Sequence, residues 1–372
     1  MKIGILTFHA SHNYGSMLQA WALQQYLNRI GHDAETINMR IKAQQNLYRF
    51  PLRPIKGKLL FFLYTLLHPV WLFHACRKWF RYESFIRNNL QLTNKEYKSW
   101  EEVYNDLPQL EYQCIITGGD QIWNMKCKDF SESYYLPAPL SGIRKVSYSP
   151  SFGNFLNNIT PQQESIVKKY LSDYSYISVR ESSMKEYLNR LLAKDITLAC
   201  DPTLLLKAGD YSSFIDDTPI VKGDYIFYYT PTKRPKYEKL AVKIGKHYGM
   251  KVVSSFQYVR NRSEMYTISE AGPIEFLNLL KNAKLVIGKS FHMVVFSLLF
   301  HKDFIAFDGA TDARLRSIFT ILGIPERGNV NEENYKTITL PQIDFDKVDE
   351  LLECERTNSR YFLDLALSEN KQ

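Results

Sequence analysis

The sequence contains few cysteines, and their positions do not favour a disulfide or a zinc site. The five are Cys76, Cys114, Cys127, Cys200 and Cys354, without a CxxC pair or a Cys/His cluster. Disulfide frameworks and structural zinc sites both need regularly spaced ligands. We therefore expect reduced thiols and no metal, and no motif in the sequence calls for a cofactor.

Long apolar runs are scarce as well. The most prominent one, Leu59 to Phe73, is short for a bilayer span and is interrupted by His68 and Pro69. The start, MKIGILTFHA, passes directly into a predicted strand without the charged leader, apolar segment and cleavage site of a signal peptide. No low-complexity segment or short repeat is present. We expect a cytoplasmic protein with well-packed cores.

Acidic residues are nearly absent from one basic segment. The formal net charge is +8, and Glu83 is the single acid between Arg40 and Arg87. The basic residues there are Arg40, Lys42, Arg49, Arg53, Lys56, Lys58, Arg77, Lys78, Arg81 and Arg87. Basic flanks around an apolar helix are typical of contact with an anionic membrane surface, here the inner face of the membrane. The alternative is a helix packed on its own domain. No nucleic-acid motif accompanies the charge, so we expect no nucleic-acid partner.

Strands and helices alternate along the chain, which predicts parallel α/β sheets. The first half indicates strands at Lys2–Phe8, Ala34–Met39, Cys114–Thr117, Lys145–Tyr148, Tyr176–Val179 and Ile196–Ala199, and helices at Gly15–Ile30, Pro161–Leu171 and Ser182–Leu192. The second half indicates strands at Asp224–Tyr229, Lys251–Ser255, Leu285–Gly288 and Asp303–Phe307, and helices at Arg234–Tyr248, Pro273–Asn282 and Met293–Phe300.

The pattern restarts after the polar stretch Lys207–Gly223, which predicts two domains. We expect a Rossmann-like domain at 1–206 with a basic, apolar helical insertion at about 41–95, and a second Rossmann-like domain at 207–345. The two would face each other across a cleft. A final helix within 346–372 could pack back across both.

The segment LVIGKSFHMVVFSLLFHKDFIAF, Leu285 to Phe307, sets His292 at the turn between a buried strand and an apolar helix. Ligands of open α/β sheets bind beyond the carboxyl ends of the strands, beside helix N-termini that attract anions. His292 would therefore contact an anionic substrate. The alternative is a half-buried histidine that caps the helix.

Two other strand ends carry residues suited to a sugar. In HASHNYGSMLQA, Ser11 or Asn13 can cap the first helix, and Gly15 lets the backbone approach a bound group. GGDQIWN combines a carboxylate and amides for hydroxyl groups with a tryptophan ring for stacking. A loop with a buried tryptophan is the alternative. The expected sugar contacts are Asn13, Tyr14, Gly15, Asp120, Gln121, Trp123 and Asn124.

Arginines at two strand ends favour an anionic ligand. VRESS places Arg180 where a helix begins, and a guanidinium there can bind a carboxylate or phosphate bidentately. An ordinary salt bridge to a neighbouring acid is the alternative. Arg314 adds positive charge beside His292. We expect Asp201, in CDPTLLL, to have a structural role, although it could face the cleft.

In this order, the motifs resemble those of the polysaccharide pyruvyl transferase family. The resemblance rests on NYG, GGDQIWN, SYSPSFG, VRESS, CDPTLLL and SFH, and it covers Lys2 to about Arg327. It implies a two-domain fold like that of GT-B glycosyltransferases. It also implies transfer of pyruvate from phosphoenolpyruvate, as a ketal, to a lipid-linked or nucleotide-linked sugar of a cell-surface polysaccharide precursor. By this resemblance His292 is the catalytic residue and Arg180 binds phosphoenolpyruvate. We expect the first domain to be the acceptor side and the second domain to be the donor side.

One position departs from the family pattern. Several members have an arginine two residues before the histidine, where this chain has Ser290. We expect Lys289, Ser290 and Arg314 to complete the phosphoenolpyruvate site. Two other functions stay open: a GT-B glycosyltransferase that uses a nucleotide sugar, and a non-catalytic glycan-binding protein of the same fold. The absence of a glutamate between His292 and Glu326 disfavours the first of these, and Ser290 keeps the second open.

Overall fold

The computed structural model describes residues 1–52, 63, 67–215, 218–255, 264–338 and 340–368. They contain a six-stranded parallel sheet in the first half of the chain and a five-stranded parallel sheet in the second. The first sheet has the order β2-β1-β3-β4-β5-β6, formed by β1 Lys2–Leu6, β2 Asp33–Thr36, β3 Cys114–Gly118, β4 Arg144–Tyr148, β5 Tyr176–Val179 and β6 Thr197–Leu198. The second has the order β11-β10-β7-β8-β9, formed by β7 Tyr225–Tyr229, β8 Lys251–Ser254, β9 Met265–Thr267, β10 Leu285–Gly288 and β11 Phe304–Ala306.

Helices connect these strands. In the first half they are α1 Tyr14–Arg29, α2 Lys42–Leu47, α3 Pro69–Asn89, α4 Trp100–Leu110, α5 Pro161–Leu171, α6 Ser182–Leu192 and α7 Pro202–Leu205. In the second half they are α8 Pro235–Tyr248, α9 Pro273–Lys281, α10 Phe291–Leu299, α11 Ala313–Leu322 and α12 Phe345–Leu367. The α/β fold of two parallel-sheet domains is thus confirmed. The sequence analysis missed β9, α4 and α7, and α4 contains a proline, Pro108, which is unfavourable inside a helix.

The largest hydrophobic core joins the two domains. It contains residues of α1 and β1 from the first half together with α9 and α10 from the second. Every side chain of α10 is buried, because this helix packs between the second sheet and α1, α7 and α11. Two further clusters cover the remaining faces of the first and second sheets. The packed junction fixes the carboxyl ends of the two sheets relative to each other.

The last helix, α12, contacts both halves of the chain. Arg356 Nε donates to the carbonyl oxygen of Leu204 at 2.6 Å, and the Ser359 hydroxyl accepts from the backbone N–H of Cys200 at 2.9 Å. On the other side, Asp349 pairs with His301, which follows α10, at 3.0 Å. These contacts tie the end of the first sheet to the second domain.

Helix α3 also reaches across to the second domain. Arg81 pairs with Glu275 at the start of α9 at 3.0 Å, and Lys78 Nζ donates to the carbonyl oxygen of Ser255 at 3.1 Å. Of the predicted apolar segment Leu59 to Phe73, residues 59–62 and 64–66 lie outside the described residues. Among the described residues, no helix combines the length and apolarity needed to cross a bilayer.

Candidate active site

His292 lies in the first turn of α10, directly beyond the carboxyl end of β10. Ser290 caps this helix, since its hydroxyl accepts from the backbone N–H of Met293 at 3.4 Å. Gly288 ends the strand with φ +149°, and a Cβ there would overlap the carbonyl oxygen of Tyr229. Glycine therefore permits the turn that delivers His292 to the junction of the two domains, where its side chain is buried.

Asp201 brings a carboxylate from the first domain to this histidine. Its Oδ1 caps α7 by accepting from the backbone N–H of Thr203 at 2.9 Å. Its Oδ2 lies 3.5 Å from His292 Nε2 and 2.6 Å from Arg180 Nη2. Burial opposes the charge of Asp201, but Arg180 and then His292 hold its pKa well below the ordinary value. Asp201 thus caps a helix with one oxygen, and its other oxygen faces the buried domain junction.

Arg180 follows β5 and presents unpaired donors at the same place. Its Nη2 pairs with Asp201 and donates to the Ser149 carbonyl oxygen at 3.3 Å, whereas its buried Nε and Nη1 have no hydrogen-bond partner. Its guanidinium lies 4.9 Å from the Phe291 ring centroid, and that of Arg314 lies 5.6 Å from it. One aromatic ring thus positions two cations beside His292. Buried unpaired donors are costly in a folded protein, and a bound ligand or a water molecule can satisfy them.

Glu181 is a buried carboxyl group that the sequence analysis did not single out. The Ser151 hydroxyl donates to its Oε1, while its Oε2 has no hydrogen-bond partner. Burial raises the pKa of Glu181 to about 7, against the opposing effects of Ser151, Arg180 and Arg314. A carboxyl group that titrates near neutrality can donate or accept a proton. The sequence analysis singled out Arg180 in VRESS because an arginine at a strand end suits an anion. The burial of the next residue, Glu181, is visible only in the fold.

The turn after β1 closes the site from the first domain. A Cβ on Gly15 would overlap the imidazole of His292, so a glycine is required for this close approach. The next residue, Ser16, donates its hydroxyl proton to Asp120 Oδ2. Asp120 follows β3 with φ 50°, a left-handed conformation that is uncommon outside glycine and is often retained at functional sites. Gly15 and Asp120 therefore border the centre formed by His292.

Arg314 is the second buried arginine of the site, and it is held in place by Asp312. It forms two hydrogen bonds with Asp312, from Nε at 3.1 Å and from Nη2 at 2.8 Å. Burial opposes its charge, but Asp312, and after it Asp120 and Glu181, raise the pKa of Arg314 above its ordinary value. Arg314 therefore remains positively charged and interacts electrostatically with both Asp120 and Glu181.

The other expected phosphoenolpyruvate residues have different positions. Lys289 Nζ donates to Thr311 Oγ1 at 2.8 Å and to the carbonyl oxygen of Asp308 at 3.1 Å, and burial lowers its pKa. Lys289 is therefore engaged by the turn after β11. Ser290 is the helix cap described above, with its hydroxyl directed to its own backbone. The structure brings Arg180 and Arg314 together beside His292, but it bonds Lys289 to the neighbouring turn.

Of the expected sugar-binding residues, some lie beside the His292 centre and others bond to nearby parts of the chain. Asn13 caps α1 through hydrogen bonds from the backbone N–H groups of Gly15, at 3.0 Å, and Ser16, at 3.4 Å. Gln121 and Asn124 are half-buried and bond each other, with Asn124 Nδ2 donating to Gln121 Oε1 at 2.8 Å. Of the GGDQIWN side chains, Asp120 is the one that borders the His292 centre.

Two aromatic residues expected to contact the sugar are instead core residues. Trp123 is fully buried among Tyr135, Phe152 and Tyr174, and its Nε1 donates to the carbonyl oxygen of Tyr134 at 3.0 Å. The alternative of a buried tryptophan is therefore correct. Tyr14 is also buried, and its hydroxyl donates to the carbonyl oxygen of Ala271 at 3.1 Å, across the domain junction. Neither ring presents a face to a ligand.

These groups form a compact charged centre at the domain junction. It offers two guanidinium groups, a histidine beside a carboxylate, and a second carboxyl group with a near-neutral pKa. Such a centre can neutralise a small anion and transfer protons next to it. Within the described part of the chain, no three His, Cys, Asp or Glu side chains converge as ligands for a metal ion.

Two parallel-sheet α/β domains that meet at a buried junction define a GT-B-like fold. The model of the family described as polysaccharide pyruvyl transferase matches residues 13–310, which include Arg180, Asp201 and His292. The chain belongs to this family of transferases.

The solved structures to which the chain is similar include two UDP-GlcNAc 2-epimerases. The chain is similar to UDP-GlcNAc 2-epimerase from Methanocaldococcus jannaschii, in complex with UDP-GlcNAc and UDP, with 13% identity and a TM-score of 0.52 over 99% of this chain and 100% of the other. UDP-GlcNAc 2-epimerase from Neisseria meningitidis matches with 10% identity and a TM-score of 0.48, over 100% and 95%. At 13% identity, the likeness to the Methanocaldococcus jannaschii structure shows the fold alone. No curated protein sequence matches the chain.

Proposed function

We propose that this enzyme transfers pyruvate from phosphoenolpyruvate to a sugar of a cell-surface polysaccharide precursor, forming a pyruvate ketal and releasing phosphate. The observation that carries the proposal is the buried guanidinium of Arg180, whose Nε and Nη1 are unpaired beside Arg314 and the His292–Asp201 pair. Phosphoenolpyruvate carries a carboxylate and a phosphate, and two guanidinium groups suit these two anions. The family match supports the same donor.

The chemistry requires proton transfer in both directions. Two sugar hydroxyl oxygens form bonds to C2 of phosphoenolpyruvate, the bond from C2 to the phosphate oxygen breaks, and C3 gains a proton to become a methyl group. Of the two hydroxyl protons released, one balances the proton on C3 and the other leaves with phosphate or solvent. His292 suits the removal of a hydroxyl proton, because Asp201 stabilises the imidazolium that results. We propose Glu181 as the second proton-transfer group, since its buried carboxyl group follows Arg180 in the chain, interacts electrostatically with Arg180 and Arg314, and has a pKa raised to about 7.

The next question is which domain binds the acceptor and which binds the donor. The predicted division gave the acceptor to the first domain and the donor to the second. We retain the first domain as the acceptor side and propose that the donor lies at the junction, because Arg180 comes from the first domain while His292 and Arg314 come from the second. Asp120 and the backbone around Gly15 border this junction on the acceptor side.

We also propose that α3 lies on an anionic membrane surface, where a lipid-linked acceptor would be found. Val70, Phe73 and Phe80 are exposed, at 70%, 57% and 50% of their surface, and share one helix face with the exposed Arg77. An apolar helix face with a basic residue beside it suits the headgroup region of an anionic bilayer.

A donor assay tests the function. Purified protein is incubated with phosphoenolpyruvate and a panel of lipid-linked and nucleotide-linked sugars, and free phosphate is measured. We expect phosphate release that depends on an acceptor and falls by about 100-fold or more in His292→Ala, the usual effect of losing a general acid or base. Circular dichroism checks that the variant is folded. Nucleotide release from a nucleotide sugar, without phosphate release from phosphoenolpyruvate, would replace this proposal with glycosyl transfer.

A further inference from the structure

A cavity apart from the His292 centre, here called the aromatic pocket, lies in the first domain between α2, α3 and residues 96–98. It encloses about 390 Å³, a volume typical of small-molecule sites. Three of its lining side chains are the half-buried rings of Tyr48, Phe50 and Trp79. None of these residues belongs to the centre around His292.

The aromatic side of the pocket is held in place by internal contacts. Trp79 Nε1 donates to the carbonyl oxygen of Tyr48 at 3.0 Å, and the Phe50 ring packs edge-on against Trp79 with centroids 5.1 Å apart. The rings are thus preorganised while remaining partly open. A fixed aromatic surface favours a ligand with an apolar face, such as the C–H face of a sugar ring.

The polar side of the pocket carries charges that are already paired. Arg40 Nη1 donates to both carboxylate oxygens of Glu83 at 3.0 Å, and Gln45 Nε2 donates to Glu96 at 3.2 Å. The two carboxylates, Glu83 and Glu96, nearly balance the three cations Arg40, Arg49 and Lys98, so the pocket lacks the large excess of positive charge that would favour a phosphate. An uncharged polyol would instead find both donors and acceptors, as Lys98 adds further donors at the rim.

The pocket is joined to the catalytic centre by the turn after β1. The His12 ring stacks on Tyr48 with centroids 5.3 Å apart, and three residues further along the chain Gly15 abuts His292. The Tyr48 hydroxyl and the Ser11 hydroxyl both donate to Asp129, at 3.0 and 2.8 Å. His12 therefore stands between the pocket and the centre, so a sugar in the pocket is separate from the one that reacts.

We propose that the aromatic pocket binds an uncharged saccharide unit of the acceptor, next to the unit that receives pyruvate. This assignment rests on the proposed function in taking the acceptor to be a glycan. It makes the pocket a determinant of acceptor length: an acceptor with two or more sugar units engages both places, whereas a single sugar engages only the centre.

Binding is tested without the donor, so that the result does not depend on pyruvyl transfer. Saturation-transfer NMR is recorded on the full-length protein with lactose, cellobiose, chitobiose and mannobiose as probes. We expect saturation to reach at least one disaccharide, and Trp79→Ala to weaken its binding by roughly 2- to 10-fold, the effect of one aromatic contact. Phe50→Leu keeps much of the apolar volume but loses the ring, and it should also weaken binding. It provides the test if Trp79→Ala does not fold. Tyr361→Ala, which removes an exposed ring on α12, is the matched control and should bind normally.

Three outcomes overturn the proposal: no disaccharide receives saturation, the folded pocket variants bind as well as the control, or inorganic phosphate displaces the sugar. The proposed function fails separately. Saccharide binding with no acceptor-dependent use of phosphoenolpyruvate would refute pyruvyl transfer and leave the pocket intact. Active transfer without saccharide binding would refute the pocket alone.

Discussion

Replacing Glu181 by glutamine should make the protein more stable at high pH. The folded protein holds the pKa of Glu181 at about 7, mainly through burial, compared with 4.5 for an ordinary glutamate. Between these values the folded state binds more protons than the unfolded state, so the stability of the wild type falls as pH rises through this window. Each pKa unit corresponds to about 1.4 kcal/mol, which gives a cost of about 3 kcal/mol above pH 7. Glutamine has no charge to bury and can still accept the Ser151 hydrogen bond.

Urea unfolding at pH 5 and pH 8 measures this effect. Near pH 5 the wild type and Glu181→Gln should unfold with similar free energies, whereas at pH 8 the variant should be more stable by up to about 3 kcal/mol. Comparing the two proteins at each pH cancels the titration of all other groups. A difference that stays the same between pH 5 and pH 8, or a wild type that gains on the variant as pH rises, would refute a buried carboxyl group with a raised pKa.

Three other variants test the site and the membrane surface. Gly15→Ala should displace the imidazole of His292, lower turnover by at least 10-fold and reduce thermal stability, because the added Cβ would overlap a buried ring; normal turnover would show that their contact is unimportant. Arg180→Lys keeps a positive charge but loses the guanidinium fork, so steady-state kinetics should show the KM for phosphoenolpyruvate rising by about 10-fold or more and that for the sugar little changed. An equal rise for both substrates would contradict its role. The double variant Val70→Gln, Phe73→Gln should bind anionic vesicles more weakly in flotation assays, and the wild type should dissociate as salt rises; salt-independent or unchanged binding would refute membrane contact.

The strand and turn that carry His292 were predictable because their signal is local. The buried strand Leu285–Gly288 has the predicted bounds, since a short apolar run followed by a helix is characteristic of a parallel sheet. The helix begins at Phe291, two residues before the prediction, because Ser290 caps it and starts the first turn earlier. Local sequence also identified Arg180 as an unusual cation at a strand end.

The partners of these residues depend on contacts that sequence spacing does not encode. Asp201 meets His292 because two separate sheets pack at their carboxyl ends, and nothing near either residue predicts the pair. Trp123 was assigned to a sugar because aromatic rings suit both ligands and cores. The rings that enclose it come from Tyr135, Phe152 and Tyr174, so its role was decided by packing at a distance in the chain.

The most direct test of the account follows the donor carbon itself. Phosphoenolpyruvate labelled with ¹³C at C2 is incubated with the enzyme and the acceptor panel, and the products are examined by ¹³C NMR. The account predicts that the alkene carbon becomes a ketal carbon coupled to a methyl group and attached to the sugar, with one phosphate released per ketal and no product from His292→Ala. Labelled pyruvate without a sugar-bound ketal, or an unchanged label together with nucleotide release from a nucleotide sugar, would contradict it.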